Sequence, residues 1–492
     1  MASQSNPSGT SPSSDESIDA SLRAPVSYFA ASSAGWLLVG AVLAVISSVK
    51  LHAPQFLGNL ECLTYGRTTG AGNVALLYGW GFNAAFALSV WLLARLSRGS
   101  LPQPALLMIA IFFWNLGVAI GAGGVLWGDG TSLEALEFPS YAAPILFVAY
   151  AFIGIWIFQV YQFGRVKPVY LSQWYILAAL FWFPWLFSLA EIMLFIDPVR
   201  GTVQSIVHAW YTQGLSHLWF LPITLGALYY FLPKILNRPI NNYPIGVYGF
   251  WMLAVFGGWA GLARLSGAPV PAWVVSAGVS GTLMLILTWV VTAINLVPTR
   301  LGGRSSNDSS GSLRFFSVAI LALFLWAAST VILSLRSVAE ITQFTLVLPA
   351  QSQLFFLGVF SFVALGGLYY LVPRILGTEW NSRALVSAHF WLSVVGLVIG
   401  VAALTVGGLK QGFQINALGA GQEAPASLLS VMQQLLPYLS SQTLATTLLL
   451  VGHLLFAVNL MLTFRKAGCC CCCISRSPAS TGFTGSKEAV IR

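Results

Sequence analysis

Predominantly apolar runs of about 20 residues, the length a helix needs to cross a bilayer, recur along almost the whole chain. In lipid the backbone has no water to bond, so each run must close its own hydrogen bonds and becomes a helix. The runs fall near 27–48, 72–94, 104–126, 141–164, 171–196, 206–232, 245–263, 271–297, 313–335, 350–373, 384–407 and 441–464. Only 8% of residues are charged, against about 25% in soluble proteins, which excludes a water-soluble fold. The expected fold class is an all-α membrane protein with twelve transmembrane helices.

The net charge of +9 does not mark a nucleic-acid binder, because the bases sit in short loops between the runs. With the N-terminus inside, only Lys50, Arg67, Arg200, Arg264, Arg336 and Lys410 fall outside, and the other seventeen Lys and Arg fall inside. Positive loops face the cytoplasm, so both termini are expected there, in a bacterial inner membrane. The loop 127–140 carries Asp129, Glu134 and Glu137 and no base, as an outside loop would. Residues 1–26 are Ser-rich and acidic and read as a disordered cytoplasmic tail, 27–465 as one membrane domain, and 466–492 as a second tail. That tail holds Cys469 to Cys473 beside Arg465 and Lys466, with Cys62 the sixth cysteine. It reads as a low-complexity interfacial segment; acylation or Cu(I) binding are the alternatives.

An internal repeat joins spans six and ten. Leu225-Gly-Ala-Leu-Tyr-Tyr-Phe-Leu-Pro-Lys-Ile-Leu236 matches Leu365-Gly-Gly-Leu-Tyr-Tyr-Leu-Val-Pro-Arg-Ile-Leu376. The copies lie four helices apart, so duplication of a four-helix unit is expected, and three units account for twelve spans.

Further segments carry a family likeness: Ser48-Val-Lys-Leu-His-Ala-Pro-Gln-Phe-Leu57, Leu63-Thr-Tyr-Gly-Arg67, Gly81-Phe-Asn83, Trp210-Tyr211, Arg238-Pro239, Trp259-Ala-Gly261, His389-Phe-Trp391, Leu454-Leu-Phe456, Asn459-Leu460 and Thr463. With the two Tyr-Tyr-x-x-Pro segments, the chain resembles haem–copper oxidase subunit I over roughly 27–465, most nearly the C family of cbb-type cytochrome c oxidases. The resemblance implies twelve helices in three arcs of four. It also implies haem and copper: one histidine each from spans two and ten for a low-spin haem, a second from span ten for a high-spin haem, and one from span six with a pair after span seven for copper. That is six imidazoles, and this chain has five in all, His52, His208, His217, His389 and His453.

At the family's spacings, the haem positions fall on Gly72, Gln351 and Gln353, and the copper positions on Gln213, Ala263 and Arg264. The family's span-nine tyrosine and glutamate fall at about Leu323 and Ser329, and its arginine before the last span falls on Gln442. Haem iron takes His, Met, Cys or Tyr, and copper takes imidazole or sulfur. Gly and Ala offer no donor, an amide nitrogen is a poor one, and Arg is a permanent cation without a free lone pair. No catalytic residue and no bound metal or haem are therefore expected. A buried amide without a partner costs about 1–3 kcal/mol, so Gln213, Gln351 and Gln353 are expected to pair; drift from histidine and a polar plug both remain open.

His217 lies one turn beyond Gln213 on the same face, with His208 nearer the outside mouth, so the two are the candidates for a residual polar site. Glu191, near the outer end of span five, reads as a proton group or as a partner of Arg200. The leading reading is a cofactor-poor relative of the oxidase subunit, structural or assembly in role, in contact with membrane lipid and with a cytochrome c-type subunit. The alternatives are an active cytochrome c oxidase or nitric oxide reductase subunit with unrecognised ligands, and a small-molecule or ion carrier using the emptied pocket.

Overall fold

The computed structural model describes residues 14–98, 102–164, 169–303, 311–419 and 428–468. Among these are twelve helices long and apolar enough to span a membrane: α1 (Asp15–Lys50), α2 (Tyr65–Ser97), α3 (Ala105–Trp127), α4 (Ser140–Gln162), α5 (Leu171–Ile196), α6 (Thr202–Leu236), α7 (Tyr243–Leu265), α8 (Ala272–Leu301), α9 (Ser312–Ser334), α10 (Val347–Leu376), α11 (Arg383–Ala417) and α12 (Leu428–Lys466). Each overlaps one of the apolar runs in the sequence.

The expected disordered tail over 1–26 is corrected from residue 14 onward, because the first helix already includes these residues. Ile18, Leu22 and Val26, spaced at i and i+4, are all buried. Asp15 and Asp19 on the same helix reach Arg95 Nη1 of α2 at 3.4 and 3.6 Å. Asp19 also accepts a hydrogen bond from Trp91 Nε1 at 2.9 Å. Helical spacing and a buried cation together override the polar composition. α11 and α12 likewise run past the apolar cores read from sequence, tied by a bond from Gln414 Nε2 to Gln434 Oε1 at 2.8 Å. Residues 1–13 and the Cys469–Cys473 run lie outside the described residues.

Three helices form the interior. In α2, α6 and α10, 89% of the most apolar stretch is buried, against 39–44% in the other nine. Each is the second helix of a group of four, so the repeat is threefold. Each ends alike: a base (Arg95, Lys234 or Arg374) is followed three residues later by a residue of positive φ, Arg98, Asn237 or Gly377. Four residues before each base stands an aromatic ring, and these rings meet, Trp91 with Tyr230 at 5.7 Å and with Tyr370 at 6.4 Å between centroids. Higher up, Phe220 and Phe360 meet at 4.6 Å, and Gly81 stands at the matching place in α2, where a Cβ would lie 2.9 Å from Phe220. All three helices loosen into a π-helical stretch at this level, over Ala75–Gly81, Leu215–Phe220 and Leu354–Ser361. Such bulges concentrate at functional sites.

A second repeated device fixes the loops. On α8, Asn295 Oδ1 accepts the Asn242 amide at 2.9 Å and Thr299 Oγ1 accepts the Asn241 amide at 3.1 Å. On α12, Asn459 Oδ1 and Thr463 Oγ1 accept the amides of Ser382 and Asn381, both at 3.1 Å. All four side chains are buried. Removing such an acceptor leaves a backbone amide without a partner, which costs about 1–3 kcal/mol. Asn295→Ala and Asn459→Ala should each lower the thermal unfolding midpoint in detergent, by similar amounts, while Thr447→Ala on the exposed side of α12 should not.

Candidate functional site

The site begins with a close approach that only glycine permits. A Cβ on Gly261 would lie 1.9 Å from Gln213 Cβ, and one on Gly278 would lie 2.2 Å from the Ala263 backbone nitrogen. The last turn of α7, a 3-10 turn over Gly261–Leu265, is therefore wedged between α6 and α8. This carries the Arg264 side chain to α6 and α10.

The guanidinium lies among amides and a hydroxyl. Nη2 donates to Gln351 Oε1 at 2.9 Å. The amide orientation of Gln213 that satisfies both residues places its oxygen 3.2 Å from Nε and 3.2 Å from Nη1. Nη1 and Nη2 both point at Ser352 Oγ, at 3.4 and 3.5 Å. Gln351 Nε2 in turn donates to Thr330 Oγ1 of α9 at 3.0 Å, and the Gln343 amide donates to the Arg264 carbonyl. Among the described residues Arg264 forms no ion pair with a carboxylate; Glu134, in the loop after α3, is the acid whose field reaches it.

Gln213, Arg264 and Gln351 thus share one network, with Ala263 buried beside it and offering no donor. Gln353 lies apart, its oxygen accepting from Gln442 Nε2 of α12 at 3.4 Å. Gly72 belongs to neither group. It packs on α1, where a Cβ would lie 3.3 Å from Leu43 Cβ and 3.8 Å from the Ala44 nitrogen. All three glutamine amides have partners, two of them through Arg264 rather than through each other.

The two histidines singled out in the sequence do not form one site. His208 Nε2 lies 3.0 Å from the Glu134 carbonyl at the exposed rim. His217 is buried; its Nδ1 donates to the Gln213 carbonyl at 3.0 Å, its ring lies 5.3 Å from that of Trp326, and its Nε2 has no partner. Among the described residues no three His, Cys, Asp or Glu side chains are grouped as a metal site would need. Glu191 is buried with Oε1 unpartnered and forms no ion pair with Arg200.

One polar group escapes the sequence reading. Beside Gly72, Asn73 Nδ2 donates to Glu137 Oε1 at 2.7 Å, while Glu137 Oε2 is buried without a partner. The hydroxyls of Tyr78 and Tyr211 lie 2.5 Å apart, and Tyr78 donates to the Ala135 carbonyl at 2.7 Å. Glu137 reads from sequence only as a loop acid, because the fold of the loop back over α2 is a long-range event.

This donor set does not fit the metals that the resemblance implies. A guanidinium held between two amide oxygens repels a copper ion and lends it no lone pair. Gly72 has no atom for haem iron, and the Gln353 amide is a poor axial ligand.

A threefold repeat of membrane-length helices, with a polar centre between α6, the end of α7 and α10, defines an integral membrane protein of the oxidase architecture. The chain belongs to the haem–copper oxidase subunit I family: the family model for Cytochrome C and Quinol oxidase polypeptide I matches residues 24–448. It is 25% identical over 452 residues to the Cbb3-type cytochrome c oxidase subunit CcoN1 of Stutzerimonas stutzeri, covering 90% of this chain and 95% of that one. It is 26% identical over 478 residues to cytochrome c oxidase subunit 1 of Rhodobacter capsulatus, covering 92% and 87%. A solved heme-copper terminal oxidase dimer shares the fold at a TM-score of 0.72 and 16% identity, over 92% of this chain and 84% of that one.

Burial pushes the Glu137 carboxyl from 4.5 up to about 7. A raised acid binds more protons folded than unfolded, so its contribution to stability falls as pH rises from about 4.5 to about 7 and is then constant. Relative to Glu137→Gln, the native protein should lose on the order of 3 kcal/mol across that window. Unfolding midpoints of both proteins from pH 4.5 to pH 8 check this; parallel curves would contradict it.

Proposed function

We propose that this chain is a cofactor-poor member of its family, a structural or assembly subunit of a respiratory membrane complex that reduces no oxygen itself. The observation that carries the reading is Arg264. It stands at a position matching a family copper ligand, and it joins Gln213 at a second such position and Gln351 at a haem-ligand position. A fixed cation hydrogen-bonded there and an imidazole-bound copper exclude each other, by charge and by space. Gly72, Gln353 and Ala263, at the remaining positions, supply no better ligands.

The scaffold argues for a partner. Relatives of this chain are subunits of cytochrome c oxidases, and the fold match extends over 92% of this chain. The partner expected from this is a cytochrome c-type subunit, on the outer face. The charge distribution supports a bacterial inner membrane with both termini cytoplasmic.

Purified protein, assayed by pyridine haemochrome and for copper, should show no haem-dependent Soret band and no copper near one per chain, while a cytochrome c-type protein co-purifies. A Soret band at one haem per chain would restore the active-oxidase reading. Neither haem nor partner would favour a carrier.

A further inference from the structure

We propose that Arg264 is the centre of a binding site for a small planar monoanion of the carboxylate or nitrate kind. The proposal rests on the reading that copper does not occupy this site. Its first support is charge: the guanidinium lies inside a membrane protein with no carboxylate paired to it among the described residues, and neutral amides solvate such a charge without cancelling it.

The second support is the unequal use of the guanidinium's donors. The Nε side is held by Gln213 at 3.2 Å and the outer Nη2 hydrogen by Gln351 at 2.9 Å. The Nη1/Nη2 edge, the fork that takes a planar anion with two parallel hydrogen bonds, faces only Ser352 Oγ, at 3.4 and 3.5 Å. One hydroxyl oxygen held that far away leaves both hydrogens weakly bonded. Arg264 and Ser352 are both partly accessible, whereas Gln213 and Gln351 are buried, so of the groups around the guanidinium Ser352 is the one with room to give way. A carboxylate or nitrate there would take both hydrogens at normal distance once the Ser352 side chain swings to another rotamer out of the fork, from which its hydroxyl can donate a third bond.

The third support is His217. Its Nδ1–H is committed to the Gln213 carbonyl, so in the neutral ring Nε2 holds a lone pair, buried and unpartnered. The ring stands one helical turn from Gln213, the residue whose amide oxygen holds the guanidinium. A buried polar atom left unsatisfied one turn from the residue that holds the guanidinium marks a place that a polar ligand or the water it carries would complete.

The full chain, purified in detergent and assayed for copper, is titrated with sodium formate and with sodium nitrate, with gluconate holding ionic strength constant, while its thermal unfolding midpoint is read. The midpoint should rise and saturate with formate and nitrate, but not with gluconate alone. Arg264→Gln should abolish the saturable rise. Arg264→Lys should weaken apparent affinity about tenfold, because a point charge cannot match a two-bond fork. Ser352→Ala, which leaves the Arg264–glutamine bonds intact and so guards against a misfolded Arg264 variant, should weaken it by several fold. A copper-free protein without a saturable response, or with the same response in the Arg264→Gln and Ser352→Ala variants, overturns this proposal alone. Copper near one per chain overturns the reading beneath it as well.

Discussion

The structure depends on three helices meeting along one line. α2, α6 and α10 are buried almost throughout, so each must present side chains inward on every face while keeping its backbone bonded inside a bilayer. The contacts along that line are aromatic: Trp91, Tyr230 and Tyr370 at one level, Phe220 and Phe360 against Gly81 at another. The Trp91, Tyr230 and Tyr370 rings meet where all three helices are regular, the Phe220 and Phe360 rings where they are not. The π-helical stretches in all three helices add a residue per turn at the level of the Phe220 and Phe360 rings, and they do so just beyond Gly72, Gln213 and Gln351–Gln353. The backbone irregularity and the polar positions therefore share a level.

The outer helices were legible in the sequence because hydrocarbon sets their length and composition. The ends were less so, since polar residues extend a helix wherever tertiary partners satisfy them. Asp15 and Asp19 look like tail residues until Arg95 is placed beside them. The third copy of the repeat was also hidden. α2 ends on Trp91 and Ala94-Arg95 where α6 and α10 have Tyr-Tyr and Pro-Lys or Pro-Arg, and only the meeting of the rings and the matching positive-φ ends reveal the equivalence.

For the site, the sequence named Gln213, Ala263, Arg264, Gln351, Gln353 and Gly72 but could not say which would meet. Pairing is decided by approach distance, and that is set by Gly261 and Gly278, residues that motif reading passes over because they carry no chemistry. Their lack of a Cβ lets the end of α7 press on Gln213 and delivers Arg264 to Gln351. Ser352 and Thr330 enter only as neighbours of that contact. Gln353, two residues along a helix from Gln351, necessarily points elsewhere, and it finds Gln442.

On the proposed reading, hydrogen-bonding groups stand where the family has metal ligands, which bears on why such a fold would persist. A metal centre ties helices together through a few strong bonds, and its loss leaves a void lined by polar stubs, which cores tolerate poorly. Here the same helices are tied by the guanidinium of Arg264, whose donors reach α6 and α10, and by Gln351, which passes the connection to α9. On the proposed reading the crosslinking role survived while the redox role did not. A cation that cannot lose its charge at any physiological pH suits such a crosslink, because its grip on the surrounding amides does not vary with the proton or electron traffic of a neighbouring subunit.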